Sequence, residues 1–305
     1  MKKHEHTTNT QNDIQKGKEK DDMTKYFELS FRSNYNTYNY QNKKIILYDD
    51  HRCILNVLFF AKTKGLLIEA PNIIYYDKHD DCIKPRKEQL KKIKTFTKSN
   101  PSFENFMKFV EFKIRHSDDD WLTTGMEMGL INHAINIGGS VIHNIESLAN
   151  NVYTDHKNNK HEIYSISHLD FELGERGCIG DLYEKEPYYK RVREIMQFNL
   201  KNDFKFSAES IYPLILDFDL DCFTGEIAGR TIAWPEEIFQ EKMVNNERYD
   251  RASPFYVLNQ LIERCEVITI CREPNSCGGI GESNKILNYL DKYLFHNYIR
   301  TSPCV

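Results

Sequence analysis

The sequence predicts an α/β fold of three layers, with helices on both faces of a mainly parallel sheet. Short β-branched runs alternate with segments of helical period along the chain. The runs are also continuously apolar, as strands buried on both faces are. Three of them end in acids and histidines, and in such sheets ligands bind beyond the carboxyl ends of the strands.

Taken in order, residues 44–48 form the first strand and 54–61 an apolar helix, followed by a strand at 72–76. Pro101 and Ser102 start a helix with Phe103, Phe106, Val110 and Ile114 on one face. Further strands are expected at 134–137, 163–167, 213–218 and 266–271, and helices near 188–198, 253–264 and 282–295. Residues 1–24 hold too few apolar side chains to offset the cost of ordering and read as a disordered tail. Residues 25–305 then form a single domain.

Composition excludes several classes. Of 305 residues, 40% are hydrophobic and 28% charged, ordinary globular proportions that argue against a fibrous or disordered chain. The longest apolar run, 54–61, contains Asn56 and falls far short of the roughly 18 residues of a membrane span. The N-terminus lacks the apolar centre of a secretory signal. A net charge of -4 with scattered basic residues offers no nucleic-acid footprint. The exception, the cluster of Lys84, Arg86, Lys87, Lys91, Lys92 and Lys94, reads as a solvated helix face. Eight cysteines without disulfide-scaffold or C-x-x-C spacing point to a reduced, cytoplasmic setting. The oligomeric state stays open, a homo-oligomer included.

The chemistry lies at the strand ends. The first strand runs into Asp49, Asp50 and His51, the second into Asp77, His79 and Asp81 spaced as DxHxD, and the 213–218 strand into Asp217, Asp219 and Asp221. Alternation along a strand puts i and i+2 on one side. Asp77, His79 and, where the strand continues, Asp81 should therefore converge, as should Asp219 and Asp221 with Asp217 as a third member. Carboxylates crowded at the end of an apolar strand are costly unless a cation neutralises them. The alternative is a set of solvated loop acids, which three such sites at one sheet edge make a poor account. Four carboxylates with two imidazoles favour Mn²⁺ or a similar ion over structural zinc. Six ligands exceed the need of one four-coordinate metal, and two metals sharing carboxylates would acidify a water towards hydroxide, a hydrolytic centre.

At these residues the sequence resembles the ureohydrolase superfamily of arginases and agmatinases, whose motifs are a strand ending in GGDH, a DxHxD and a late DxD. Tyr48, Asp49, Asp50 and His51 stand in the first position with the glycines replaced; Asp77 to Asp81 match the second and Asp219 to Asp221 the third. The resemblance implies the arginase/deacetylase-like form of the three-layer fold and a pair of Mn²⁺ ions. His51, Asp77, Asp81 and Asp219 would hold one, and Asp77, His79, Asp219 and Asp221 the other. It further implies that Glu273 binds the substrate guanidinium; the alternative is a loop acid paired with Arg272.

The loop that in arginases receives the head group of free arginine is replaced here by Cys82, Ile83, Lys84 and Pro85 and a long helical insertion. The region from about residue 45 to 279 is closer to the peptide arginases, which convert arginine side chains of a precursor peptide into ornithine and urea. An arginine-containing peptide is thus the implied partner. For protonating the leaving amine, Asp120 is the candidate catalytic acid, with His133, His143 and His168 unassigned; Trp121 reads as core. Two other readings remain: a Zn²⁺-dependent deacetylase or other amidohydrolase of the same fold, for which His51 and Asp221 would be surplus, and a protein that binds an arginine peptide without hydrolysing it.

Overall fold

Strands rich in Ile, Leu, Tyr and Val pair side by side into one eight-stranded sheet in the computed structural model, which describes residues 35–114, 120–138, 152–166, 213–244 and 254–301. In chain order the strands are β1 (Asn36–Tyr40), β2 (Lys43–Tyr48), β3 (Asn72–Tyr76), β4 (Ala134–Ile137), β5 (Val152–Thr154), β6 (Lys160–Ile166), β7 (Leu214–Asp219) and β10 (Val267–Cys271). A separate hairpin is made by β8 (Thr224–Ile227) and β9 (Arg230–Ala233). The sheet order is β1-β2-β10-β7-β3-β4-β6-β5. Its six inner strands are parallel, and β1 and β5 run antiparallel at the edges.

Successive residues of the inner strands point to opposite faces, and each face has its own core. Ile46, Tyr48, Ile73, Tyr75 and Ile215 pack with α1 (Ile54–Thr63), α2 (Lys87–Lys98), α3 (Phe103–Lys113) and α4 (Trp121–Met128). Leu47, Ile74, Tyr76, Leu216 and Phe218 pack with α5 (Glu236–Met243), α6 (Pro254–Arg264), α7 (Ile280–Leu294) and α8 (Tyr298–Thr301). The chain is therefore α/β with a mostly parallel sheet and helices on both sides, an arrangement compatible with three layers.

The strands at 72–76 and 134–137 fall where the sequence places them, and the others lie within a few residues. The basic cluster on α2 is solvated as expected: Lys84, Arg86, Lys87, Lys91 and Lys92 are exposed while Gln89 and Ile93 face inwards. Cys53, Cys82, Cys222, Cys265, Cys271 and Cys277 are buried free thiols. Among the described residues no helix is long and apolar enough to cross a membrane. The expected tail (1–24), the helix near 188–198, His143 and His168 lie outside the described residues.

One glycine couples the hairpin to the loop that follows β10. Gly278 has φ +86°, and a Cβ there would lie 2.0 Å from the carbonyl oxygen of Thr231 in β9. Backbone does not yield as a flexible side chain does, so Gly278→Ala should cost about 2–4 kcal/mol through left-handed strain and overpacking together. Chemical denaturation of the variant checks this; a loss below about 0.5 kcal/mol would mean that the hairpin is not seated on this loop.

Candidate metal centre

The four strands that carry the motifs are neighbours in the order β2, β10, β7 and β3, so their carboxyl ends form one contiguous rim. Asp219 is the last residue of β7 and sits beside Cys271, the last of β10. Beyond β2 the chain turns into a short 3₁₀ helix, His51–Cys53, whose first turn is capped by Asp50 accepting from the Arg52 amide at 3.0 Å. The guanidinium of Arg52 closes on the same carboxylate. Asp49 is bound by Arg272 Nε at 2.5 Å. Both acids of this motif are thus spent on ion pairs, and only His51 turns inwards. Arg272 is therefore engaged with Asp49 rather than with Glu273.

His51 is fully buried. Its Nε2 lies 2.7 Å from Asp217 Oδ2, and its Nδ1 faces three carboxylates: Asp219 at 3.0 Å, Asp81 at 3.1 Å and Asp77 at 3.3 Å. With the Nε2 proton donated to Asp217, a lone pair points at three anionic oxygens, an arrangement that needs a positive charge between them. His51 Nδ1 and Asp77 Oδ2 are buried without a hydrogen-bond partner. The donor set of one imidazole and several carboxylates suits a divalent cation. This buried cluster could hold a metal ion.

The ligand atoms fall into adjoining groups. His51, Asp77 and Asp219 form one, Asp77, His79 and Asp221 a second, and Asp219, Cys271 and Glu273 a third, with the atoms of each within 4.8 Å of one another. Asp77 belongs to the first two. His79, half exposed, brings Nδ1 to 3.0 Å from Asp221 Oδ2.

Simple alternation does not produce this convergence. β3 ends at Tyr76, and residues 77–81 are a loop. The loop is pinned by the His79 amide donating to Asp77 Oδ1 (2.7 Å), by Asn136 Nδ2 donating to the His79 carbonyl (2.8 Å) and by the Tyr75 hydroxyl donating to the Asp80 carbonyl (2.7 Å). Asp81, at φ +47°, is swung back towards His51. Glu273 also has positive φ, +32°. Strained residues of this kind persist only where their surroundings hold them.

Asp217, grouped with Asp219 and Asp221 in the sequence but not one of the six expected ligands, lies outside the three ligand groups. One strand pair deeper than Asp219, it supports His51 from behind, its Oδ1 accepting from the hydroxyls of Tyr48 (3.1 Å) and Thr269 (2.5 Å). The sequence signal was an acid inside an apolar strand, which must find buried donors. Trp121 is core, fully buried, and more besides: its Nε1 donates to Asp81 Oδ2 at 2.5 Å, and its ring lies 4.6 Å from that of His51. Asp120, at the start of α4, is buried and accepts from Gln89 Nε2 at 2.6 Å; it is not in any of the three groups. His133 precedes β4, at the opposite edge of the sheet from the rim, where its Nδ1 accepts from the Glu162 amide. That location separates it from the centre.

Without a cation the cluster holds protons. Burial, then Asp81, pushes the Asp77 carboxyl well above the ordinary range, and burial with Asp221 and Glu273 does the same to Asp219. For His51 burial opposes the charge, but Asp217 and Asp219 outweigh it and hold its pKa well above normal. Bonding to Asp221 lifts His79 to about 9, and burial with Asp221 lifts Glu273 to about 7. Every raised group stabilises the metal-free fold at low pH and loses that contribution as pH rises through its folded pKa. A bound cation displaces these protons. The gain in melting temperature on adding Mn²⁺ should therefore be larger at about pH 8 than at about pH 6; a gain independent of pH would mean that the cation binds elsewhere.

No protein-family profile matches the chain, and no curated protein matches it.

Proposed function

We propose that this chain is a binuclear, Mn²⁺-dependent hydrolase of the arginase-like three-layer fold that converts arginine side chains of a peptide into ornithine and urea. The observation that carries the reading is the pair of ligand groups, His51 with Asp77 and Asp219, and Asp77 with His79 and Asp221, joined through Asp77 at the carboxyl rim of a parallel sheet. Two adjoining groups with a common carboxylate favour two ions over the single Zn²⁺ of a deacetylase-type centre. Such a pair, held by these residues, would act as a Lewis acid and would lower the pKa of bound water.

The chain's own residues do the rest. Glu273 extends from β10 to the edge of the cluster, where its carboxylate would receive the guanidinium cation. Asp217 fixes the tautomer of His51. Asp81 is oriented by Trp121. Following Asp81, Cys82 and Pro85 are buried and Lys84 is exposed, and the Thr123 hydroxyl donates to the Ile83 carbonyl at 2.7 Å. That segment is committed to packing and offers no row of hydroxyls to an amino-acid head group, which favours arginine within a peptide over free arginine. The buried thiols support a reducing compartment such as the cytoplasm.

The test is to incubate the Mn²⁺-loaded protein with arginine-containing peptides and follow urea together with peptide mass. Ornithine in the peptide is the expected product, with free arginine turned over poorly. Efficient turnover of free arginine would overturn the peptide assignment. Metal analysis returning one Zn²⁺ per chain would favour the deacetylase-type centre instead.

A further inference from the structure

The third ligand group differs in kind from the other two, because one of its donors is sulfur. Cys271 ends β10, fully buried, with its Sγ among the carboxylate oxygens of Asp219 and Glu273. Three of the other described thiols donate to backbone carbonyls: Cys222, Cys265 and Cys277 to those of Ile137, Ile262 and Arg272. Cys271 makes no such bond among the described residues and is turned to the site.

We propose that Asp219, Cys271 and Glu273 form a thiol-containing site for a thiophilic divalent ion, Zn²⁺ or Cd²⁺, which shares Asp219 with the oxygen- and imidazole-lined groups and differs from them in its sulfur donor. Hard Mn²⁺ gains little from sulfur, whereas Zn²⁺ and Cd²⁺ gain a thiolate ligand. Ligands of one tetrahedral ion with bonds of about 2.0–2.3 Å lie about 3.6 Å apart. The three donors, within 4.8 Å of one another, need to close by roughly an ångström. The Glu273 side chain, half-buried and on a loop, can make that movement. On binding, the thiol proton leaves to solvent and the sulfur bonds to the ion as thiolate. Occupation would also take Glu273 away from a guanidinium. This last consequence rests on the arginine-hydrolase reading, but the existence of the site does not.

The experiment titrates the full, Mn²⁺-loaded chain with Cd²⁺ while recording the ultraviolet thiolate-to-cadmium charge-transfer band, followed by metal analysis of the washed protein. The band should grow to one equivalent per chain. Cys271→Ser and Cys271→Ala should each lose that equivalent with Mn²⁺ content unchanged, and Cys277→Ala should keep it. Two Cys271 variants guard against a folding defect in one, and a retained melting transition confirms that each is folded. No band in the unaltered chain, or an equal band in the Cys271 variants, overturns the proposal. If urea release is also seen, Cd²⁺ should suppress it in the unaltered chain and not in Cys271→Ser. If no peptide is ever hydrolysed, the band still decides the cadmium site, so the two readings fail separately.

Discussion

Asp219→Asn is expected to abolish stoichiometric cation binding, and with it the proposed hydrolysis, while leaving the chain folded. Asp219 belongs to two of the three ligand groups, and its Oδ2 is the oxygen nearest His51 Nδ1. An amide keeps the shape, and its oxygen can still accept from the Asp221 amide, as Asp219 Oδ1 does at 3.2 Å. It removes the charge that draws the cation. The metal-free variant should be at least as stable as the parent, since one of several crowded buried carboxylates has been neutralised. Its melting temperature should no longer rise with Mn²⁺. Metal analysis and thermal melts read both outcomes, and a variant that retains two ions per chain would show that Asp219 does not bridge.

Asp217→Asn tests the support behind His51. Asp217 takes donors on both oxygens: Tyr48 and Thr269 on one, His51 Nε2 on the other. An Asn has one accepting oxygen. If its NH₂ faces His51, Nε2 must accept, and the ring proton moves to Nδ1, the atom turned towards the cation site. If the amide is reversed, His51 keeps its tautomer but loses its anionic partner. Either orientation should weaken metal binding by about 10- to 100-fold, without removing any ligand that touches the ion. Equilibrium dialysis against Mn²⁺ measures this. Unchanged affinity would mean that the pairing with Asp217 does not tune His51.

The sequence made the inner strands legible because buried parallel strands are plain runs of Ile, Leu, Tyr and Val, as at 72–76 and 134–137. It also made legible the acids at their ends, whose crowding calls for a cation or for bound protons wherever the backbone puts them. The edge strand β1 was not anticipated: its segment is Asn, Thr and Tyr rich, and pairing with β2 rather than composition makes it a strand. The β8–β9 hairpin and α5 were also missed, being short elements set by tertiary packing. Within the site, alternation was a poor guide beyond Tyr76, where Asp81 depends on a positive φ and on Trp121. It placed Asp217 on the correct face but one pair too deep to be a ligand. Cys271 escaped notice because a Cys closing an apolar strand looks like any small core residue; its open side shows only once Asp219 and Glu273 stand beside it.

The position of β10 governs when the centre can be assembled. It is the last strand of the sheet in sequence, yet it pairs between β2 and β7. Until residues 267–271 are in place, β2 and β7 lack a shared neighbour, and His51 on one side has no fixed relation to Asp219 on the other. Such long-range pairing is slow because distant segments must meet before any contact rewards them. Any ion that the centre takes can therefore be captured only at the end of folding, as a lock on a finished sheet, and a chain still being made carries the unpaired flanks of β2 and β7 as aggregation-prone surface.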